Sequence, residues 1–464
     1  MLIPIVITGL VIEVLCIRIA SLGDIMQHIP RFSLMYSTAF VEYLFAVFAF
    51  VAYLFAVFLV SKNAALSGKG SNISPKITWI ILVFSLVFRL TLLPATPSND
   101  VFRYLWEGKI QLHGINPYSQ PPVSLNLEHM RDNFFSGINH KHLTTIYPPL
   151  TLMVFAIADF ISHSFVSIKS AFLLFDILSI FVLIKYLKVM RKEPANVLIY
   201  AWSPLVLISF AARGHCDSLQ IFFVMLALYL YSTRKYANAV VSIGLAMMSK
   251  FVSIIIVPFL IPREKPRYLA ILSLTIILLY LPYCSAVKGL FSTLFYFGTQ
   301  YHYNDSIHFL IFSLSLGSPF ISKIITSSIF GVVFLCLYKK YLDEAYFNTG
   351  LLWEDTILRF AFLAVGTLLI LAPTVHPWYL TWIVPFLCFY HNRAWLVLTG
   401  TVVFYYFMNY PLFSKLIEYN NELVWEEVHW LKLPEYLPFY FLLLYGFLRK
   451  HLLTDERNHP VLQN

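Results

Sequence analysis

Apolar runs long enough to enter a bilayer recur from one end of the chain to the other, separated by short polar or basic pieces. A membrane-spanning helix needs about 20 mostly apolar residues. The runs at 2–20, 34–60, 77–96, 170–187, 195–211, 218–233, 268–287, 319–337, 357–373, 377–390, 394–411 and 434–449 approach or reach that length. The pattern predicts an all-α polytopic membrane protein with about 12 to 15 crossings or part-crossings. It reads as one integral membrane domain over 1–464, with 1–76 as an additional N-terminal two-span segment. Two stretches break the rhythm. The apolar run at 148–168 upsets the alternation of sides and follows Tyr147-Pro148-Pro149, which suits a short or re-entrant helix. The run at 236–261 is divided by Ser249-Lys250. Each half is short for lipid alone, and such pieces are tolerated where protein surrounds them or they line a cavity.

Composition agrees with the pattern. Of 464 residues, 59% are hydrophobic and only 12% are charged, too few to cover a soluble surface. The first run, Leu2 to Ile17, lacks a basic n-region and reads as a retained helix, not a signal peptide. The net charge of +9 sits in short clusters: Lys185 to Lys192, Arg234-Lys235, Arg263 to Arg267, Lys339-Lys340 and Arg449-Lys450. That placement follows the positive-inside rule and gives no support to nucleic acid as a partner. With these clusters in the cytoplasm, the segment 97–147, the turn RGHCDS at 213–218, Lys250 and HPWY at 376–379 all fall outside. The five cysteines, at 16, 216, 284, 336 and 388, show no metal-ligand spacing and read as packing residues.

Asp100 opens the outer segment 97–147, which is expected to carry short interfacial helices. In a helix, Asp100, Arg103 and Glu107 share one side. Arg103 could then hold Asp100 ionised, and the carboxylate could accept a proton from an attacking hydroxyl. The bland alternative is a solvated acid paired with that arginine. His215 and Asp217 lie in a polar knot with Arg213; a hairpin-tying Arg213–Asp217 salt bridge and contacts to sugar or phosphate are both open. Lys250 suits an anionic partner such as a lipid phosphate. Arg359 sits near the inner end of its helix and is discounted. His376 could bind phosphate. Trp378 and Tyr379 fit either an interfacial belt or a substrate site, and Trp106, Tyr118 and Trp378 are candidate sugar-stacking faces.

Three stretches carry a family likeness: DVFRYLWEG at 100–108 continuing to GINPY at 114–118, GHCDS at 214–218 followed by Lys250, and HPWY at 376–379. With them the chain resembles the GT-C superfamily of membrane glycosyltransferases. It is most similar to the bacterial polyprenyl-phosphomannose-dependent mannosyltransferase-like branch. The resemblance implies that Asp100 is catalytic, as general base on the acceptor. It implies a polyprenyl-phosphate sugar donor and a lipid-linked or glycan acceptor. Arg103, Glu107, His215, Asp217, Lys250, His376, Trp378 and Tyr379 are then the candidate substrate-binding residues. An inverting hexosyl transfer in a bacterial inner membrane is the expectation, with mannose as the sugar.

No phosphate loop, HExxH or GxSxG motif is present, so ATP-driven transport, zincin and α/β-hydrolase chemistry have no local support. No motif implies a cofactor or a metal. His302, Asp305 and His308 have a spacing a divalent cation could use on a helix, and the acidic loop 412–432 could hold one, without a diagnostic pattern. A transporter or lipid-linked glycan flippase is the alternative reading, because it too would use broken helices and polar groups at depth. A ligase joining lipid-linked glycans is a chemically closer one.

Overall fold

A computed structural model describes residues 2–21, 52, 54–62, 75–261, 265–286, 289–347, 353–409, 413–419 and 422–458. It is mostly helical. Five described helices are long and apolar enough to cross a membrane: Leu2–Ser21, Pro75–Leu92, Phe165–Val189, Pro266–Ala286 and Pro319–Glu344. Pro194–Ala201 and Pro204–Ala212 make a sixth if counted as one span bent by 51°. Proline marks many of the starts, because it has no N–H to satisfy at a first turn and its φ is already helical. Pro75, Pro149, Pro204, Pro266 and Pro319 all stand at such positions.

The two irregular stretches fold as their sequences suggest. Pro149–Ile161 is a helix of 13 residues, ending before Ser162. Tyr236–Ser249 stops at Lys250, whose backbone is extended, and Phe251–Ile256 resumes as a 3-10 turn. Other expected spans are broken. The run at 377–390 becomes a 3-10 turn, Pro377–Trp382, then the short helix Val384–Leu387. The run at 394–411 is split into Arg393–Thr401 and a 3-10 stretch, Val402–Asn409. In segment 97–147 only Asn99–Leu112 is an α-helix; the other elements are 3-10 turns, Leu125–Met130 and Phe135–Gly137. Among the described residues, strands Leu416–Tyr419 and Glu422–Trp425 form an antiparallel hairpin in the last loop, and Tyr303 bridges Thr374. The expected 34–60 span lies largely outside the described residues.

The buried apolar residues form one large cluster and two smaller ones, and the large cluster encloses an ion pair that hydropathy conceals. Arg89 and Asp176 are both fully buried, 2.7 Å apart. The other guanidinium nitrogens donate to Asp176 Oδ1, the Ser85 carbonyl and hydroxyl, and the Ala201 carbonyl. Three helices are therefore tied through one side chain. Such a pair is tolerated in lipid because nearly every donor finds an acceptor. Trp202, at the bend between the paired helices, donates Nε1–H to the Ile81 carbonyl. The N-terminal helix packs on Pro75–Leu92, where Thr91 donates to Glu13 at 2.6 Å.

Segment 97–147 is fastened to this body at close quarters. A Cβ at Gly108 would meet the Phe155 carbonyl oxygen at 2.6 Å, so only glycine lets helix Asn99–Leu112 cross Pro149–Ile161 this tightly. Tyr104 stacks on Phe155 with ring centroids 4.4 Å apart. Lys169, buried near the start of Phe165–Val189, donates to the Ala95 carbonyl at 2.6 Å. Lys185 and Lys188 lie near the other end of that helix. The 16 residues from Lys169 to Lys185 give about 24 Å of rise, so segment 97–147 and this basic cluster sit at opposite ends of one long helix.

Candidate active site

Asp100 occupies the first turn of helix Asn99–Leu112, where the exposed N–H groups and the helix dipole favour a negative charge. Its Oδ1 accepts from Asn139 Nδ2 at 2.9 Å. Its Oδ2 lies 3.3 Å from His215 Nδ1, and the side chain keeps 22% of its exposure. Burial alone would raise its pKa. The His215 and Asn139 contacts and the nearby His376 outweigh burial and hold the carboxyl down to about 2. Asp100 is therefore an open, oriented, permanently ionised carboxylate at neutral pH.

Arg103 does not pair with Asp100, as the helical spacing suggested. Its Nε donates to Glu107 at 2.9 Å, and its two terminal nitrogens donate to the carbonyls of Asn139, His140, Leu143 and Thr144. Glu107 takes a further hydrogen bond from Thr145 at 2.8 Å. A guanidinium supplies the rigid fork that four carbonyls require. The arginine thus shapes the loop that presents Asn139, and acts on Asp100 at one remove.

The turn carrying His215 reaches Asp100 because of Gly214. Its φ is +77°, and a Cβ there would meet Lys169 Cγ at 2.8 Å and Val101 Cγ2 at 3.0 Å. The Ser98 N–H donates to the Arg213 carbonyl at 2.9 Å, clamping the two loops. A π-helical stretch, Leu207–Ala212, leads into this turn. The Arg213–Asp217 bridge is not formed. Arg213 reaches the Thr96 carbonyl at 3.5 Å, and Asp217 turns to Lys250.

HPWY supplies the remaining wall. His215 stacks on Trp378 at 3.9 Å, and Trp378 stacks on His376 at 4.5 Å, giving a column of three rings. His376 Nδ1 is 2.8 Å from the Tyr405 hydroxyl. Burial, with His215 and Lys250 nearby, pushes its pKa down to about 3 against the pull of Asp100. His376 is neutral at physiological pH and is no fixed positive charge for a phosphate. Both faces of Trp378 are taken, which leaves its edge for a ligand. Trp106 and Tyr118 are closed to sugar stacking, with 3% and 2% exposure.

A second group adjoins the first. Asp217 Oδ1 accepts from Lys250 Nζ at 2.5 Å and from Trp382 Nε1 at 2.6 Å. Because Pro377–Trp382 is a 3-10 turn, Tyr379 and Trp382 eclipse each other and stack at 4.7 Å. The Lys250 ammonium lies 4.3 Å from the Tyr379 ring centre and 4.9 Å from that of Trp382. Both rings can attract the cation through their faces. Lys250 thus has a carboxylate partner within the protein, and 24% of its side chain stays exposed. Arg359 pairs with Glu344 and belongs to neither group.

The structure brings Asp100, His215, Asp217, Lys250, His376, Trp378 and Tyr379 together, from segments scattered over 100–379. Three participants carry no sequence signal of comparable strength. Asn139 lies in an ordinary polar turn, and Tyr405 in an aromatic run. Trp382 could have been found as the residue three beyond Tyr379 once that turn was known to be 3-10. His302, Asp305 and Glu427 form a separate grouping close enough to hold a metal, and none of them contacts Asp100.

Residues 7–263, more than half of the chain, match the N-terminal domain of the alpha-(1->6)-mannopyranosyltransferase family. The match takes in most of the N-terminal helix, Asp100, the 213–218 turn and Lys250. No curated protein and no solved structure matches the chain. The protein is an integral membrane glycosyltransferase of mannosyltransferase type, and the chain belongs to the alpha-(1->6)-mannopyranosyltransferase family.

Proposed function

We propose that the protein transfers mannose from a polyprenyl-phosphate carrier to a hydroxyl of a lipid-linked or glycan acceptor, on the non-cytoplasmic face of a bacterial inner membrane. The observation that carries this reading is Asp100: a half-open carboxylate at the mouth of the outer segment, aligned by Asn139 and flanked by His215. The family name adds the linkage, and the acceptor group is then the primary hydroxyl at C6 of a sugar.

The acceptor oxygen attacks the anomeric carbon as the bond from that carbon to the phosphate oxygen breaks. The electron pair of that bond leaves with polyprenyl phosphate, and the hydroxyl proton passes to Asp100. A single displacement inverts the anomeric centre, so a β-linked donor gives an α product. With a pKa near 2, Asp100 is a weak base toward a free hydroxyl. Proton transfer therefore comes late, once carbon–oxygen bonding has made the hydroxyl acidic, and the carboxylate mainly orients the nucleophile before that. The leaving phosphate is already a stable anion and needs no strong acid. Lys250 and His215 are the groups placed to meet its charge, while Asp217 holds Lys250 in position.

Purified protein in proteoliposomes, given mannosyl phosphopolyprenol and an α-mannoside acceptor, tests the reading. Asp100→Asn should fold normally and lose turnover by about 100-fold or more, on the scale of an electrostatic group removed from an active site. Near-wild-type turnover by that variant would refute the role of Asp100. Movement of labelled lipid across the bilayer without a new glycosidic product would favour a flippase.

A further inference from the structure

We propose that His302, Asp305, His308 and Glu427 form a binding site for one divalent transition-metal ion of the zinc class, distinct from the Asp100 site. One ligand atom each from His302, Asp305 and Glu427 already lies within 4.8 Å of the others. His308 Nε2 stands 4.0 Å from Asp305 Oδ2, too far for a hydrogen bond and close enough for both to ligate one ion.

Polar atoms left without partners point to the missing occupant. Asp305 and His308 are fully buried. Asp305 Oδ2, His308 Nε2 and His302 Nδ1 are all enclosed, and none has a hydrogen-bond partner. Buried polar groups are nearly always paired, so three orphaned atoms in one cluster are unusual. The remaining atoms of the same side chains are used. His308 Nδ1 is 2.8 Å from Thr326 Oγ1, a partner that can fix its tautomer and leave a lone pair on Nε2. Lys432 takes Asp305 Oδ1 at 2.6 Å and Glu427 Oε1 at 3.0 Å. The ammonium thus satisfies one oxygen of each carboxylate and leaves Asp305 Oδ2 toward the histidines. Lys323 is a second cation near His308, so the two carboxylates and the unpartnered ligand atoms, and not a surplus of charge, point to an ion.

Two imidazoles and two carboxylates suit zinc, whose tetrahedral bonds of about 2.0–2.2 Å set ligand atoms about 3.4 Å apart. The cluster therefore closes by roughly an ångström on binding. Four protein ligands leave no open position, so the ion is a structural tie. It would join the 302–308 segment to the last outer loop. That segment is bonded onward to residues 373–375, just before HPWY: the Tyr303 N–H donates to the Pro373 carbonyl, and the Val375 N–H donates to the Tyr303 carbonyl. Asn304 Nδ2 also donates to the Val375 carbonyl at 3.1 Å. A metal here would stiffen the backbone immediately before His376.

The test uses full-length protein carrying no polyhistidine tag, stripped with chelator in detergent and titrated with Zn²⁺ alone. The expected result is one saturable equivalent and a thermal midpoint raised by about 4 °C or more at saturation. His302→Ala is the informative variant, since outside the cluster His302 packs on the Phe312 ring at 4.6 Å. It should bind Zn²⁺ at least ~10-fold more weakly while folding like the stripped wild type. Asp305→Asn should also lose the site, though it weakens the Lys432 pair as well. The exposed His113→Ala should bind as wild type. Wild-type protein with no saturable zinc, or His302→Ala binding as tightly as wild type, overturns the proposal.

Discussion

Asn139→Ala isolates the alignment of Asp100 from its charge. The substitution removes the 2.9 Å hydrogen bond to Oδ1 and leaves the helix-dipole position and the His215 contact in place. A hydrogen bond to a charged group contributes about 1.5–3 kcal/mol. Asp100 retains 22% exposure, so water can replace the lost donor and the lower end of that range applies. Two opposing effects follow. Without Asn139 the carboxyl pKa climbs from about 2 toward its ordinary 3.8. It stays ionised at pH 7 and becomes a slightly better base. Against this, the carboxylate is free to rotate, and alignment lost before the transition state goes straight into the barrier. A loss of about 1.5 kcal/mol corresponds to roughly tenfold in turnover, and the gain in basicity offsets only part of it. The expectation is a kcat several-fold to tenfold lower, with KM for donor little changed and the thermal midpoint intact. Asn139→Asp should be worse, because a second carboxylate replaces a donor at hydrogen-bond distance. Proteoliposome turnover with separate kcat and KM measures this. Wild-type kcat in Asn139→Ala, or a loss confined to KM, would refute the alignment argument.

Two further perturbations separate structural from chemical roles. Lys250→Met leaves the buried Asp217 without its charge partner and should destabilise the fold by about 3–5 kcal/mol, whereas the double variant Lys250→Met/Asp217→Asn should regain most of that stability. The double variant should still turn over at least ~10-fold more slowly than wild type; denaturation midpoints and turnover in one preparation check both, and a double variant as unstable as the single one would contradict the pairing. His376 has a folded pKa of about 3, below its ordinary 6.5, so the unfolded chain takes up the proton first as pH falls. Its contribution to stability is whole above about pH 6.5 and declines below it, by up to about 2 kcal/mol at pH 5. Thermal midpoints of wild type and His376→Gln at pH 7 and pH 5 should therefore converge on acidification, and parallel slopes would rule this out.

How far the sequence exposes such a site depends on whether the information is local. Helix starts are local: a proline at a first turn needs no distant partner, and Pro75, Pro149, Pro266 and Pro319 begin helices as expected. The break at Ser249-Lys250 is local too, because a charge within an apolar run has to leave the helix or find an anion. Its anion, Asp217, is not local, and the spacing within RGHCDS points to Arg213 instead. Arg103 misleads in the same way: three residues from Asp100, it reaches away to carbonyls some 40 positions on. The Arg89–Asp176 pair was invisible because each residue lies inside a hydrophobic run and only the fold, 87 positions apart, brings them together.

The same distinction explains the cluster at 302–308. Helical spacing is what the sequence offers for its histidines and aspartate, yet Tyr301 to Ser306 are not helical and the helix begins only at Ile307. Spacing could therefore not decide the matter. The fourth group, Glu427, comes from an acidic loop more than a hundred residues later and is positioned by Lys432 and by the Asn304 N–H. Each half reads by itself as a solvated loop. Burial converts them into a single site, since a carboxylate oxygen and two imidazole nitrogens left without partners cost little in water and much inside protein. A residue set of this kind is recognised by what its atoms lack once folded, and no periodicity in the chain encodes that.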